Sequence, residues 1–338
     1  MSASHRGKRL FFLLAAAMLF LPFLVSCSEE EPRRAVFTDV FDTVTEFAAY
    51  GVSEEVFQTA SDAVHEELLR IHKLCDIYHL YDGVTNLCFV NERLGGDRYE
   101  LDPDLIRILD MGKAFYGKTG GKCNIGMGSV LSLWHEAMEQ GECLPDKEAL
   151  QNALFHIDLD TLLIENDTVV LTDPKLLLDL GAFAKGFAAE RACDVAKAHG
   201  LSSFSLNLGG NILLRGEKPQ GAWTVGVQDP DGGIYTVLRP GERSAVTSGD
   251  YQRYMEIDGV RYHHIIDPET GYPASLYRSV TVLCEDSFAA DALSTSLFCL
   301  PKEEGERLAK EYGAEALWIT KDGEAFRTEG FSQYETKR

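Results

Sequence analysis

Residues 176–186 read Leu176-Leu177-Leu178-Asp179-Leu180-Gly181-Ala182-Phe183-Ala184-Lys185-Gly186, a short apolar run that leads into the start of a helix. We predict this helix over residues 182–199, because Gly200 stands where a left-handed residue commonly ends a helix. Residues 203–284, which follow, are rich in strand-forming side chains. Strands and helices therefore come in blocks rather than in strict alternation, which favours an α+β fold with mixed, largely antiparallel sheets and flanking helices.

The rest of the chain fits the same class. Asp258-Gly259 and Asp322-Gly323 are dipeptides typical of hairpin turns. Ser53, followed by two glutamates, is a typical helix N-cap. The other predicted elements are a strand over 35–50, helices over about 53–78, 102–116, 129–140, 288–299 and 302–312, and short strands near 155–158, 162–165 and 168–172. No linker divides the chain, so we expect one two-lobed unit over residues 36–338.

The composition excludes several classes of protein. The chain has 338 residues, of which 45% are hydrophobic and 25% charged, which is ordinary for a globular protein and not for a disordered or polytopic membrane protein. Acidic residues outnumber basic ones by 53 to 32, giving a formal net charge of −21. Such a charge argues against a nucleic-acid partner. An anionic ligand would need a local cation, a lysine or backbone N–H groups.

The N-terminus has the pattern of an export signal. Residues 1–26 begin with three basic residues and no acidic one, and continue into an apolar run over 10–25. The run ends in Leu24-Val25-Ser26-Cys27, which resembles a bacterial lipobox. We therefore predict cleavage before Cys27, lipidation of Cys27, a tether over 27–35 and a domain anchored to a bacterial cell membrane outside the cytoplasm. The alternatives are an ordinary signal peptide with an incidental cysteine and an uncut anchor.

The seven other cysteines form no CxxC pair, which gives poor support to a disulfide framework or a thiolate zinc site. Most are expected to be buried, inert thiols, although one or two disulfides remain open.

Four further segments carry groups suited to chemistry. The helix start at 179–186 pairs backbone N–H groups with Lys185, which suits phosphate; the alternative is a tight turn with a surface lysine. Asn207-Leu208-Gly209-Gly210-Asn211 allows a sharp bend or a close approach to a ligand, and is equally consistent with a plain hairpin. Thr247–Tyr251 precedes His263–Pro273, and adjacent strand residues point to opposite faces, so at most one of the paired histidines faces a site.

The fourth segment offers oxygen ligands. Asp291, Ser294 and Thr295 share one face of a predicted helix, because they stand at i, i+3 and i+4. A carboxylate and two hydroxyls suit Mg²⁺ but are too few to bind it alone. The alternative is an amphipathic helix with a polar stripe.

Taken in order, the segments DLGAFAKG, NLGGN, TSGDY, HHIIDPETGYP and DALST resemble the ApbE family of FAD:protein FMN transferases, from about Phe41 to Phe298. The resemblance implies a Mg²⁺-dependent enzyme, with Mn²⁺ as a possible substitute. Such an enzyme takes FAD as substrate and transfers its FMN half to a Ser or Thr hydroxyl of an exported or membrane-bound target flavoprotein, releasing AMP.

The resemblance also assigns residues. The metal ligands fall on the carbonyl of Ala182 and on Asp291 and Thr295, with Ser294 adjacent. Lys185 would offset charge on the AMP leaving group, and His264 or an acidic neighbour would be the general base. The family often has Met-Asp-Thr or Met-Gly-Thr where this chain has Phe41-Asp42-Thr43. FAD contacts fall on Phe41, Tyr78, Gly126, Met127, Gly128, Asp179, Lys185, His264 and Ile265.

Two rival functions remain at this point. One is an FAD pyrophosphatase, in which water replaces the target hydroxyl. The other is a lipoprotein that holds FAD without transferring it. A non-enzymatic binding module is a more distant third.

Overall fold

An eight-stranded antiparallel sheet forms the centre of the fold. The computed structural model describes residues 31–93 and 98–336, and from Pro32 onward these form one unit. The predicted signal peptide over 1–26 and the lipidation site Cys27 lie outside the described residues. In spatial order, the sheet consists of β1 (Arg33–Val40), β2 (Thr43–Tyr50), β6 (Ser203–Leu208), β7 (Asn211–Arg215), β10 (Ser244–Gly249), β13 (Tyr277–Cys284), β14 (Glu315–Thr320) and β15 (Ala325–Arg327).

Three smaller antiparallel sheets extend the main one. They are β3 (Tyr99–Glu100), β5 (Thr168–Leu171) and β4 (Leu162–Glu165); β8 (Val225–Gln228) and β9 (Ile234–Leu238); and β11 (Tyr254–Ile257) and β12 (Val260–His263). Every strand pair within the named sheets is antiparallel. The helices are α1 (Glu54–Cys75), α2 (Leu87–Glu92), α3 (Pro103–Lys118), α4 (Gly128–Gln140), α5 (Lys147–Leu154), α6 (Ala184–Ala198), α7 (Ser287–Cys299) and α8 (Lys302–Glu311). The predicted α+β class is confirmed.

Helix α7 is almost completely buried, and it carries polar residues predicted for the site. All of its residues except Thr295 are buried, and it lies against β10, β13 and α6. A helix that is apolar on nearly all sides is expected to be enclosed by its neighbours. Asp291 and Ser294 are therefore polar groups inside the core, and not members of a solvent-exposed stripe.

Two hydrophobic clusters meet at the site. The main core lies between the large sheet and helices α1, α6 and α7. A second cluster gathers Met127, Trp134, Leu150 and Met255 with Ile266, and it joins α4 and α5 to the β11–β12 hairpin. The second cluster belongs to the same compact unit as the main core.

The prediction of one strand over 35–50 is wrong, because the chain reverses between β1 and β2. Phe41 and Asp42 both adopt positive φ, at 54° and 50°, and Val40 pairs with Thr43 across the turn. Non-glycine residues rarely adopt this conformation, so the sequence carried no turn signal here. Strand β1 also begins at Arg33, which places the last three residues of the predicted tether within the sheet.

Three other local predictions differ from the structure. No strand forms over 155–158, where Phe155 instead ends helix α5. Helices α2 and α5 were not predicted, because they are only 6 and 8 residues long. The first long helix ends at Cys75 rather than near residue 78, so Tyr78 lies on the loop that follows.

The described cysteines are free thiols, and Cys143 is exposed. Burial raises the pKa of Cys75 and Cys123 to about 12, which keeps both thiols protonated and unreactive.

Among the described residues, no helix has the length and apolar character needed to cross a bilayer.

Candidate active site

A cavity of about 360 Å³ lies where the two hydrophobic clusters meet. Its wall is assembled from segments that are distant in sequence, and it includes most of the residues predicted for the site. These lining segments fall within 41–43, 72–78, 122–135, 179–185, 209–211, 246–253, 264–268 and 291–299.

Asp291 is a buried carboxylate residue in the cavity wall. Its side chain lies within α7, the residue is only 4% exposed, and one carboxylate oxygen, Oδ2, accepts a hydrogen bond of 2.8 Å from the Gly186 N–H. In a continuous α-helix, that N–H would bond to the carbonyl of Ala182, four residues earlier. Helix α6 begins only at Ala184, so among the described residues the Ala182 carbonyl has no helical hydrogen bond and lies at the cavity wall.

Gly186 permits this arrangement because it has no Cβ. A Cβ at this position would lie 2.4 Å from the Ser287 carbonyl oxygen and 2.6 Å from the Asp291 Cβ. Contacts this short do not occur between real side chains and backbone, so α6 and α7 can approach this closely only at a glycine. The close approach brings the Asp291 carboxylate to the start of α6.

The charge of Asp291 is incompletely compensated by the protein. Burial raises the pKa of its carboxyl, while Lys185, the Gly186 N–H and the Asn211 side chain favour the ionised form and only partly offset that effect. A buried carboxylate in this state is stabilised by an additional cation at its free oxygen. The carboxyl therefore has the electrostatic character expected of a metal ligand.

The two hydroxyls of the predicted metal face have different environments. Thr295 lines the cavity, is half-buried and makes no side-chain hydrogen bond to the described part of the chain. The Ser294 hydroxyl lies 2.9 Å from the Asp291 carbonyl oxygen and 2.9 Å from the Ser248 hydroxyl. Thr295 is thus available as a ligand, whereas Ser294 joins α7 to β10.

The free oxygen donors are therefore the Asp291 carboxylate, the Thr295 hydroxyl and the Ala182 carbonyl. The described residues contain no group of three or more His, Cys, Asp or Glu side chains that could hold a metal. A mixed set of hard oxygen donors with a single carboxylate fits Mg²⁺, which retains waters and is often completed by substrate phosphates.

The start of α6 differs from the predicted row of free N–H groups. The Ala184 N–H donates to the Leu180 carbonyl, and the Gly186 N–H is taken by Asp291. Lys185 lines the cavity, and its ammonium donates to the Gly181 carbonyl at 3.3 Å. Binding of an anion here therefore depends on Lys185 more than on the helix terminus.

Asp179 also lines the cavity and holds the turn that precedes α6. Its Oδ1 accepts a hydrogen bond of 2.7 Å from the Gly181 N–H, and its own N–H donates to the Ile125 carbonyl at 2.8 Å.

The paired histidines have separate environments, as the alternation of a strand requires. His263 is buried, and both of its ring nitrogens contact backbone groups, those of Ala274 and Ile265, at 2.9 and 3.2 Å. His264 and Ile265 line the cavity instead. Of the two histidines, His264 alone lines this cavity.

His264 is held as a neutral imidazole. Burial lowers the pKa of His264 to about 4, and the nearby Arg253 and Lys185 cations act in the same direction. Its Nδ1 lies 3.2 Å from the Arg253 carbonyl oxygen, a contact that requires the proton on Nδ1. Nε2 then carries a lone pair and is able to accept a proton.

Tyr78 forms part of the cavity mouth and is supported by a buried carboxylate. Asp76 is 8% exposed and accepts hydrogen bonds from the Tyr78 N–H at 2.7 Å and the Tyr81 hydroxyl at 2.7 Å. The Tyr78 hydroxyl lies 2.8 Å from His135 Nδ1, across the mouth. The aromatic ring is therefore held by both its backbone and its hydroxyl group.

Phe41 also lines the wall, on the turn with positive φ. Its N–H donates to His72 Nδ1 at 3.2 Å, and the two rings meet edge to face. The chain therefore places an apolar ring at this part of the cavity wall.

Of the segment 126–128, Met127 lines the cavity, but Gly126 and Gly128 do not. A Cβ on Gly128 would lie 2.7 Å from the Leu177 carbonyl oxygen, and a Cβ on Gly126 would lie 2.9 Å from the Leu176 side chain. Gly126 and Gly128 thus serve close packing against residues 176–177, and the FAD contacts expected of this segment stay a prediction.

Sequence reasoning did not identify Lys122, Asn124, Ser248 or Arg253 as cavity residues. The TSGDY segment pointed to the neighbourhood of Ser248 and Arg253, whereas the segment containing Lys122 and Asn124 carried no pattern of its own. Only the tertiary structure brings these residues to the cavity.

Comparisons with known proteins agree on one family. The model of the ApbE family matches residues 41–318. The FAD:protein FMN transferase of Treponema pallidum (strain Nichols) is 37% identical over 257 residues, covering 70% of this chain and 71% of the relative. The one from Escherichia coli (strain K12) is 28% identical over 333 residues, covering 94% and 93%. The crystal structure of the ApbE protein of Thermotoga maritima superposes with a TM-score of 0.81 at 28% identity, covering 91% of this chain and all of that one.

Proposed function

Because the chain belongs to the ApbE family, we propose that it transfers the FMN moiety of FAD to a Ser or Thr hydroxyl of an acceptor protein and releases AMP. One observation carries the proposal. The cavity gathers Lys185, His264 and the Asp291 carboxylate beside a carbonyl that lacks its helical partner. These groups suit the binding of a pyrophosphate and the displacement of one of its phosphates.

The reaction is an attack on phosphorus. The acceptor oxygen forms a bond to the phosphorus of the FMN half, and the bond from that phosphorus to the bridging oxygen breaks. AMP leaves with the bridging oxygen, and the proton of the hydroxyl passes to a base. Such transfers depend mainly on positioning and on stabilisation of charge.

The side chains divide these tasks. Lys185 offsets negative charge on the departing AMP. Neutral His264 accepts the proton of the acceptor hydroxyl at Nε2, because Nδ1–H is held by the Arg253 carbonyl. Phe41, Tyr78 and Met127 supply apolar wall for the flavin, and Asp179 shapes the turn beside it.

We propose that Mg²⁺, or Mn²⁺ in its place, is held by Asp291, Thr295 and the Ala182 carbonyl. When bound, the cation supplies charge neutralisation at the pyrophosphate. The partly uncompensated, buried charge of Asp291 supports this assignment.

The test of the function asks whether water or the acceptor protein supplies the nucleophile. The purified protein is incubated with FAD, Mg²⁺ and a candidate acceptor flavoprotein. AMP release is then measured, together with flavin fluorescence on the acceptor in a denaturing gel. We expect slow AMP release without acceptor and much faster release with it, because positioning of a hydroxyl can supply several kcal/mol that free water lacks. An acceptor with its target Thr replaced by Ala should lose the acceleration. Equal AMP rates with both acceptors would instead establish a pyrophosphatase, and stable retention of FAD without AMP would establish an FAD-holding protein.

We also propose that the protein is a lipoprotein, anchored to a bacterial cell membrane through Cys27, with the catalytic domain outside the cytoplasm. The lipobox-like residues 24–27 support this, and the acceptor would then be an exported or membrane-bound flavoprotein. Cys27→Ala should block lipid attachment and leave an uncut or soluble form. Normal signal cleavage and unchanged membrane retention of that variant would contradict the anchor.

A further inference from the structure

The cavity has to bind an anionic pyrophosphate on a chain with a formal net charge of −21. Among the described residues, three lysine or arginine side chains line it: Lys122, Lys185 and Arg253. Lys122 is already neutralised, because its ammonium lies 2.8 Å from an Asp267 oxygen and 2.5 Å from a Glu269 oxygen. Lys185 and Arg253 are therefore the cations that remain for a ligand.

Arg253 has no acidic partner in the part of the chain that the structure describes. Its side chain makes neither an ion pair nor a hydrogen bond to these residues, in contrast to Arg261 and Arg278 close to it in the fold. An arginine presents several donors in a planar fork that matches the oxygens of a phosphate. Because no acceptor on residues 31–93 or 98–336 occupies this fork, it is available to a substrate.

The loop that carries Arg253 is firmly held. It spans residues 250–253, between β10 and β11, and Asp250 anchors it through its N–H to the Arg278 carbonyl at 2.9 Å. The Asp250 carboxylate lies 3.4 Å from Arg261 and 3.5 Å from Arg278. The Gln252 amide donates to the Thr247 carbonyl at 3.2 Å. Because these hydrogen bonds and ion pairs already hold the loop, its backbone loses little conformational entropy when Arg253 binds a ligand.

The same loop is attached to the proposed general base. The Arg253 carbonyl accepts from the His264 N–H at 3.1 Å and faces His264 Nδ1 at 3.2 Å. Arg253 lines the same cavity as Tyr78 and His264. It therefore lies within reach of a ligand that contacts both the aromatic ring and the imidazole.

We propose that Arg253 is a catalytic residue that binds the pyrophosphate of FAD through its guanidinium, opposite Lys185. Its guanidinium offsets the charge that develops as the bond between phosphorus and the bridging oxygen breaks. This inference rests on the proposed function, and it adds a second cation to the phosphate site.

The test compares ligands with and without phosphates. Affinities of the full-length protein for FAD and for riboflavin are measured by flavin fluorescence, for wild type, Arg253→Met and Arg253→Lys. Arg307→Met is the matched control, because Arg307 is exposed on α8 and does not line the cavity. We expect Arg253→Met to weaken FAD binding by roughly 10- to 100-fold, as for loss of a hydrogen bond to a charged group. Riboflavin binding should be unchanged.

Two further readouts separate binding from a structural role. The dependence of FAD affinity on ionic strength should become shallower in Arg253→Met, and Arg253→Lys should recover part of the affinity because it keeps the charge but loses the fork. Equal weakening of FAD and riboflavin, or FAD affinity as in Arg307→Met, would overturn the proposal. These binding measurements need no acceptor, so they remain decisive for Arg253 even if the transfer reaction itself fails.

Discussion

Gly186→Ala tests whether the crossing of α6 and α7 determines the position of the carboxylate at the centre of the site. The added methyl would lie 2.4 Å from the Ser287 carbonyl oxygen and 2.6 Å from the Asp291 Cβ. Neither neighbour is the flexible end of a side chain, so the two helices must separate. Separation also lengthens the 2.8 Å hydrogen bond from the Gly186 N–H to Asp291.

Three contributions set the size of the effect on the free energy of unfolding. Overpacking of a tight core contact costs about 1–3 kcal/mol. Loss of a hydrogen bond to a charged group costs about 1.5–3 kcal/mol. The better helix propensity of alanine returns about 1 kcal/mol. The net destabilisation is therefore about 1.5–5 kcal/mol, which corresponds to a fall in Tm of roughly 2–8 °C for a domain of this size.

The measurement pairs thermal unfolding with FMN transfer at a temperature where the variant is folded. Gly117→Ala is the matched control, because Gly117 is also within a helix and a Cβ there would meet nothing within 4 Å. The control should gain up to about 1 kcal/mol and keep its activity. Gly186→Ala should lose stability and most of its transfer activity. If both variants are equally stable and equally active, then the close helix crossing does not position Asp291.

Three further outcomes follow from the site. Asp291→Asn should lower transfer by roughly 100-fold or more, and more than Ser294→Ala does, as for removal of a main electrostatic stabiliser; unchanged Mg²⁺ dependence of transfer would refute the assignment. Burial raises the pKa of the Asp291 carboxyl, so the stability that this group contributes is present below its ordinary pKa and is lost as pH rises. Metal-free Asp291→Asn should therefore melt no lower than wild type at pH 7. His264 should contribute stability that is present above about pH 6.5 and lost as pH falls toward 4. The free energy of unfolding of wild type should therefore fall relative to that of His264→Gln only in this window, and parallel pH profiles of the two proteins would contradict it. Replacing Phe41-Asp42 by Asn-Gly should raise stability by about 0.5–1 kcal/mol, because the turn then has residues suited to positive φ, while FAD affinity falls; unchanged FAD affinity would remove Phe41 from the site.

Much of the fold follows from short-range patterns in the sequence. Ser53 caps α1 through a hydrogen bond from the Val56 N–H, and Gly141 and Gly200 adopt the left-handed conformation expected at helix ends. Asp258-Gly259 forms the turn between β11 and β12. These features depend on the backbone preferences of a few neighbouring residues, which the sequence states directly.

The turn at Phe41-Asp42 shows where such patterns fail. Phe41 has no preference for positive φ, and its backbone N–H and ring contact His72, 31 residues away. Gly126 and Gly128 show a second limit, because a glycine that packs closely within the fold and a glycine that approaches a ligand have the same sequence signature.

The sequence by itself determined the α+β class, the order of its helix and strand blocks, and, through five segments in order, the family and the region of Asp291, Lys185 and His264. Only the tertiary structure decided which groups are free to act. In the folded protein the Gly186 N–H donates to Asp291, so the Ala182 carbonyl is left without its helical hydrogen bond among the described residues. It also left Arg253 without an acidic partner among the described residues. The physical reason is that local conformation depends on adjacent residues, whereas the satisfaction of a hydrogen bond or a charge depends on groups brought together from distant parts of the chain.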